Sequence, residues 1–168
     1  MRNLKYVLLT VIILIISVTD SQSFSPKGRN FGIGLMVGEP SGLTLKIWTQ
    51  TDKAFALSVS NSYLGNLRLG VDYLWHYNVF NSSVANLYAG PGFAIGIGEN
   101  GGWLYNEKDK GWYKDNDDIG IGVRGVVGFN LVPRNTPLEF FGEVGLMIGF
   151  LPGTFTNMEG GVGFRFYF

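Results

Sequence analysis

The chain has 168 residues, 13 basic and 13 acidic side chains, 25 glycines and no cysteine. That length fits one domain, and zero net charge argues against a nucleic-acid surface. The lack of cysteine excludes disulfides, thiolate metal sites and a lipid-anchored N-terminal cysteine.

Arg2 and Lys5 precede an apolar run at residues 6–18. That run is too short for a usual spanning helix of about 20 residues but suits the core of a signal peptide. Ser21 and Ser23 then supply a small-x-small cleavage site. We therefore expect a signal peptide at 1–23 and a mature domain at 24–168. Removing Arg2, Lys5 and Asp20 leaves 11 basic and 12 acidic residues, so the exported chain stays near neutral.

No helical period follows. The chain breaks into alternating runs separated by turn formers, the pattern of an all-β barrel or sandwich. The first run sets Phe31, Ile33, Leu35 and Val37 against Gly32, Gly34, Met36 and Gly38, and Glu39, Pro40 and Ser41 turn the chain. The second sets Leu43, Leu45 and Ile47 against Thr44, Lys46 and Trp48; the third sets Phe55, Leu57 and Val59 against Ala56, Ser58 and Ser60. The fourth has Leu67, Leu69, Val71, Tyr73 and Trp75 against Arg68, Gly70, Asp72, Leu74 and His76. The fifth has Leu87, Ala89, Phe93, Ile95 and Ile97 on one side, with Tyr88 and a row of glycines on the other. Pro91 falls on it and cannot donate to a ladder, so a bulge or kink is expected there. Residues 99–118 read as a long loop. The sixth run carries Arg124 among glycines, and the seventh carries Glu139, Phe141 and Glu143 opposite Phe140, Val144 and Ile148. The last, residues 158–168, sets Met158, Val162, Phe164, Phe166 and Phe168 against Glu159, Gly161, Gly163, Arg165 and Tyr167. About eight strands result, few enough for a barrel filled by its own side chains.

The two faces decide the setting. One is almost unbroken aliphatic and aromatic, which in water would be an aggregation hazard. The other is glycine, alanine and serine with sparse charges: Lys46, Arg68, Arg124 and Arg165 against Asp72, Glu139, Glu143 and Glu159. Four basic and four acidic groups balance, as a narrow lumen requires, because buried charges must be paired. Apolar outside and polar inside is the arrangement of an eight-stranded antiparallel up-and-down transmembrane β-barrel. Three contacts are expected: Glu139 opposite Arg165, Arg124 opposite Glu143, and Lys46 reaching Asp72 across Ser58.

The first hairpin, Gly38-Glu39-Pro40-Ser41-Gly42-Leu43-Thr44-Leu45-Lys46, resembles a group of small uncharacterised bacterial outer-membrane barrel proteins. The Asp72-to-His76 segment and Pro137-Leu138-Glu139 match the same group. The terminal aromatics Phe164, Phe166 and Phe168 look like the signal read by the outer-membrane assembly machinery. The resemblance implies a barrel of the OmpA and OmpX type in a bacterial outer membrane, with both termini periplasmic. It implies no established activity and carries over no catalytic residue. Phe31, Trp75, Phe129, Phe166 and Phe168 should then form an aromatic girdle at the periplasmic rim. Trp48, His76, Tyr88 and Tyr167 should lie inside at the same depth.

Chemical motifs are sparse. Glycine patterns at 96–101 and 120–125 match a dinucleotide fingerprint, but no helix follows either, as that site demands. His76 stands alone, without an assignable Ser-His-acid set. No cofactor and no metal are expected. Trp103, Tyr105, Trp112 and Tyr113 in the long loop form a candidate interaction surface, since exposed aromatics are favoured at binding hot spots. The expected partners are outer-membrane lipid, the assembly machinery and an unidentified extracellular ligand, for a monomeric chain with a structural or surface-interaction role. The rivals are an outer-membrane lipid-modifying enzyme and a soluble exported barrel that binds an apolar ligand.

Overall fold

The computed structural model describes residues 28–80, 82, 84–98, 103–106, 111–114, 119–133, 135–151 and 153–168. The expected signal segment and its cleavage site lie outside them. The strands are β1 (Phe31–Glu39), β2 (Ser41–Trp48), β3 (Lys53–Ser62), β4 (Gly65–Tyr77), β5 (Ala85–Ile97), β6 (Trp103–Asn106), β7 (Gly111–Lys114), β8 (Ile119–Leu131), β9 (Leu138–Leu151) and β10 (Phe155–Tyr167). Eight of them close an antiparallel up-and-down barrel in the order β1-β10-β9-β8-β5-β4-β3-β2. The other two, β6 and β7, pair as a separate ribbon inside the stretch read from sequence as a loop.

Period-two alternation is obeyed in every barrel strand. In β1, Phe31, Ile33 and Leu35 are exposed while Gly32, Gly34 and Met36 are buried. In β10, Phe164 and Phe166 stand outside while Arg165 and Tyr167 are buried. Successive side chains of a strand point to opposite faces, so one apolar parity clothes the wall and the other fills the lumen. The pairing can be followed round the wall from Phe166 through Ile33, Leu45, Leu57, Val71, Phe93, Val123 and Ile148. It returns to β10 at Thr156, ten residues from where it began. A stagger of ten over eight strands tilts them by roughly 40° to the axis, given about 3.3 Å per residue and 4.8 Å between strands.

Pro91 behaves differently from expectation. Its pairing with β8 runs on unbroken, opposite Gly125. The ladder to β4 lapses between Asp72 and Trp75 but resumes in the same register. A missing N–H leaves a gap, not a bulge. Register shifts occur instead at Ser60/Ser62 and at Ile121/Gly122.

The inner glycines make room for rings. A Cβ on Gly32 would stand 2.8 Å from the Tyr167 ring, and one on Gly163 would stand 2.6 Å from Phe141. Gly128 similarly underlies Tyr88, and Gly149 underlies Phe155. Each aromatic occupies the space that a side chain at the neighbouring glycine would need, which lets large side chains fill a narrow lumen.

Candidate functional site

The lumen is a stack of layers between a terminal end, marked by Phe31 and Phe168, and a loop end, marked by the β1–β2, β3–β4 and β9–β10 turns. All eight predicted lumen charges point inside, and seven of them are buried. They form two clusters.

The cluster nearer the loop end is built on Arg124 from β8. Its Nε and Nη2 donate to Asp72 Oδ1 and Oδ2 at 2.8 and 3.1 Å. Nη2 also donates to Glu143 at 2.7 Å, and Nη1 to Glu159 at 2.8 Å. Arg68 grips Glu159 with two parallel hydrogen bonds of 2.7 and 3.0 Å, the fork geometry that makes arginine suited to carboxylates. The expected direct pairing of Arg124 with Glu143 is not the register found: Arg124 lies opposite Met147, and Glu143 opposite Gly128. The length of the arginine side chain makes the contact diagonally.

The cluster nearer the terminal end is built on Glu139 from β9. It accepts from Lys46 Nζ at 2.6 Å, Tyr167 Oη at 2.5 Å and Asn130 Nδ2 at 3.0 Å. Arg165 lies directly across the strand pair, as expected, with Nη1 3.5 Å from the carboxylate. Its guanidinium also donates to Thr44 Oγ1 at 2.9 Å and stacks 3.7 Å from the Phe141 ring centre. Lys46 therefore does not reach Asp72. Ala56, not Ser58, lies between those two strands at that level. The ammonium instead crosses the lumen from β2 to β9.

An apolar layer of Met36, Ala56, Leu74, Val126 and Phe141 lies among these charges, with Tyr88 beside it. The Tyr88 hydroxyl donates to Glu143 at 2.9 Å while its ring faces Lys46 at 5.4 Å, so it touches both clusters. Below it the expected aromatic set is assembled. Trp48 and His76 have ring centres 4.3 Å apart, His76 and Tyr88 5.4 Å, and Trp48 Nε1 donates to Tyr167 Oη at 3.2 Å. His76 is buried, with Nδ1 3.3 Å from the Asp52 carbonyl oxygen.

The loop end is stopped by residues of the β3–β4 turn and the start of β10. The β3–β4 turn folds into the barrel and buries Tyr63 and Leu64 against Ala94, Met147 and Phe155. Tyr63 Oη donates to Glu159 at 2.6 Å, and its N–H donates to Glu39 at 3.1 Å. Burial, and after it the neighbouring Glu159 carboxylate, push the Tyr63 phenol above its ordinary pKa. The signal for this plug was Gly96 and Gly120 on the facing strands, where a Cβ would strike Leu64.

The other candidates stand apart from the lumen. Phe164, Phe166 and Phe168 project outside, with Phe166 and Phe168 ring centres 5.1 Å apart, and the Phe168 N–H donates to Phe31 O at 2.9 Å across the closing seam. In the ribbon, Tyr105 pairs with Trp112, Leu104 with Tyr113 and Trp103 with Lys114. Both glycine fingerprints meet strand, not helix, in their described parts. An open groove of about 610 Å3 lies on the outer wall, where Val37, Val127, Phe129, Val144 and Val162 surround the backbone of Gly142 and Gly160. Among the described residues no group of three or more His, Cys, Asp or Glu is placed to hold a metal ion.

Among solved structures, the chain is similar to the N-terminal β-barrel domain of Pseudomonas aeruginosa OprF. The TM-score is 0.58 at 13% identity, and the match covers 83% of this chain and 98% of that one. The fold is that of an OmpA-type barrel. At this identity the likeness concerns architecture alone. No family model matches the chain, and no curated protein matches it either.

Proposed function

We propose that the chain is a monomeric barrel spanning a bacterial outer membrane, sealed along its axis, with a structural or surface-interaction role carried by its loop end. The observation that carries this reading is the inverted polarity: paired charges inside, apolar side chains outside. On β10 the outward row from Met158 to Phe168 is broken only by Gly160. Ten residue steps at about 3.3 Å, tilted by roughly 40°, give a band about 25 Å tall, the height expected of a lipid-facing belt. Phe31, Phe129, Phe166 and Phe168 at the terminal end then sit at girdle depth. The terminal aromatics would serve as the signal for the assembly machinery.

Two rivals have less support. A soluble barrel that carries an apolar ligand should keep its apolar cavity inside, whereas here the groove is outside and the lumen is charged. A lipid-modifying enzyme would place its catalytic group towards the outer leaflet, whereas His76 is buried near the terminal end between Trp48 and Tyr88.

Fractionation tests the reading. The mature protein should appear in the outer membrane, stay there through carbonate washing, and migrate differently on a gel before and after boiling. Recovery of the folded protein in the detergent-free periplasmic fraction would overturn it. A knockout with altered lipid A, restored by the wild-type copy but not by His76→Ala, would install the enzyme in its place.

A further inference from the structure

The terminal end carries an apolar projection that the barrel wall does not need. Beyond β4 the chain turns through Val79 and Phe80, two adjacent apolar side chains that are 50% and 57% exposed. They fill no lumen layer. The turn that presents them is braced from within: Ser82 N–H donates to Asn78 Oδ1 at 2.9 Å, and the Val84 and Ala85 N–H groups donate to Ser82 Oγ at 3.1 and 3.2 Å. A braced turn with two exposed apolar side chains at its tip is built to meet something.

What lies beside it indicates what. The outward side of β4 descends to this turn through Tyr73 and Trp75, whose rings meet edge to face at 5.3 Å, and then Tyr77. Amphipathic rings of this kind settle at the junction of hydrocarbon and headgroups. Lys53 stands opposite Trp75 on β3, on the outward parity. A lysine there can lay its stem along the apolar wall and hold its ammonium at the level of lipid phosphates. The turn thus continues an aromatic and cationic rim.

We propose that Val79 and Phe80 form a foot that inserts into the interfacial layer of the leaflet at the terminal end and fixes the barrel's depth there. This rests on the membrane-spanning reading. Its occupant is the bilayer interface, held by two apolar side chains beneath the Tyr73, Trp75 and Tyr77 ladder and by Lys53 at phosphate level.

The absence of cysteine makes the test clean. Single cysteines at Val79, Phe80, Val144 and Gln50 would each carry a nitroxide label in the full mature chain, refolded into phosphatidylethanolamine and phosphatidylglycerol vesicles. Collision rates with dissolved oxygen and with a neutral nickel chelate are then compared. Val144 on the wall should favour oxygen strongly, and Gln50 in the exposed β2–β3 turn should favour nickel. The foot is supported if both Val79→Cys and Phe80→Cys show an oxygen-to-nickel ratio several-fold above that of Gln50→Cys. If Val144→Cys reports lipid while both foot labels match Gln50→Cys, the foot is wrong and the spanning reading stands. If Val144→Cys itself reports water, both fall. Foot labels that are immobilised and shielded from both reagents would indicate a protein contact and overturn the proposal as well.

Discussion

Glu139→Gln is the sharpest test of the lumen. Among the described charges, the terminal-end cluster holds two cations, Lys46 and Arg165, and one anion, Glu139, all buried. Glutamine keeps the shape and can still accept a hydrogen bond, but it leaves two buried cations with no counter-charge in their cluster. Removing one partner of a buried ion pair costs about 3–5 kcal/mol. The lower end suits this site, because Arg165 retains Thr44 and the Phe141 ring, and Lys46 retains the Trp48 ring at 4.6 Å. With a denaturant slope of about 2 kcal/mol per molar urea, the midpoint should fall by roughly 1.5 M or more. Asp72→Asn is the control. Its cluster holds three acids and two arginines, so neutralising one acid leaves two of each sign, and the shift should be roughly 0.5 M. Urea titration in vesicles, followed by tryptophan fluorescence and by the folded band on a gel, reads both. Equal losses from the two substitutions, or a shift under roughly 0.5 M for Glu139→Gln, would refute the pairing scheme.

Tyr63→Phe removes the hydroxyl that donates to Glu159 and should cost about 1.5–3 kcal/mol at neutral pH, as expected for a hydrogen bond to a charged group. Burial, and after it the Glu159 carboxylate, hold the folded-state pKa of Tyr63 above the ordinary phenol value of about 10. Its stabilisation is therefore complete below pH 10 and is lost as pH climbs towards the folded value, so the wild type should lose more stability than Tyr63→Phe when the pH is raised from 9 to 11. At the closing seam, a Cβ on Gly34 would drive into the Phe164 carbonyl oxygen. Gly34→Val should sharply reduce the heat-modifiable folded band, whereas Gly160→Leu should leave it intact, since the nearest atom to its Cβ lies 3.6 Å away. Deleting Phe168 should slow assembly in cells several-fold while moving the urea midpoint of refolded protein by much less. An equal loss in both would make Phe168 a stability residue only.

The wall was more legible in the sequence than the lumen. Parity in a strand is set by backbone geometry alone, so Phe31, Leu43, Phe93, Val144 and Phe166 could be placed outside from their spacing. The Glu139–Arg165 pair followed because the last two strands join through a short turn, which fixes register locally. Two kinds of fact escaped. One was azimuth: alternation says that Lys46 faces inward, but only closure brings β2 across the lumen from β9. Asp72 and Arg124 meet for the same reason, although β5 separates their strands. The other was turns that leave the surface. Tyr63 and Leu64 sit between two strands at a place that normally reads as solvated loop, and only the distant glycines Gly96 and Gly120 betray the space they occupy.

The sealing itself bears on function. Eight strands with a stagger of ten leave an interior about one layer of side chains wide. The chain fills it with rings laid on glycines and with eight charges in two groups of opposite net sign, which cancel only when taken together. Neither group stands at the mouth: the inward-folded Tyr63 and Leu64 cap one, and Trp48, His76 and Tyr167 cap the other. A pore would need both caps and the Leu74–Phe141 layer to yield together, each with its own buried contacts. The surfaces free to meet another molecule are therefore the two rims and the outer wall. The described wall is mainly apolar, so under the proposed surface role selectivity falls to the rims, where the described chain offers the β6–β7 ribbon at one end and the Val79–Phe80 turn at the other.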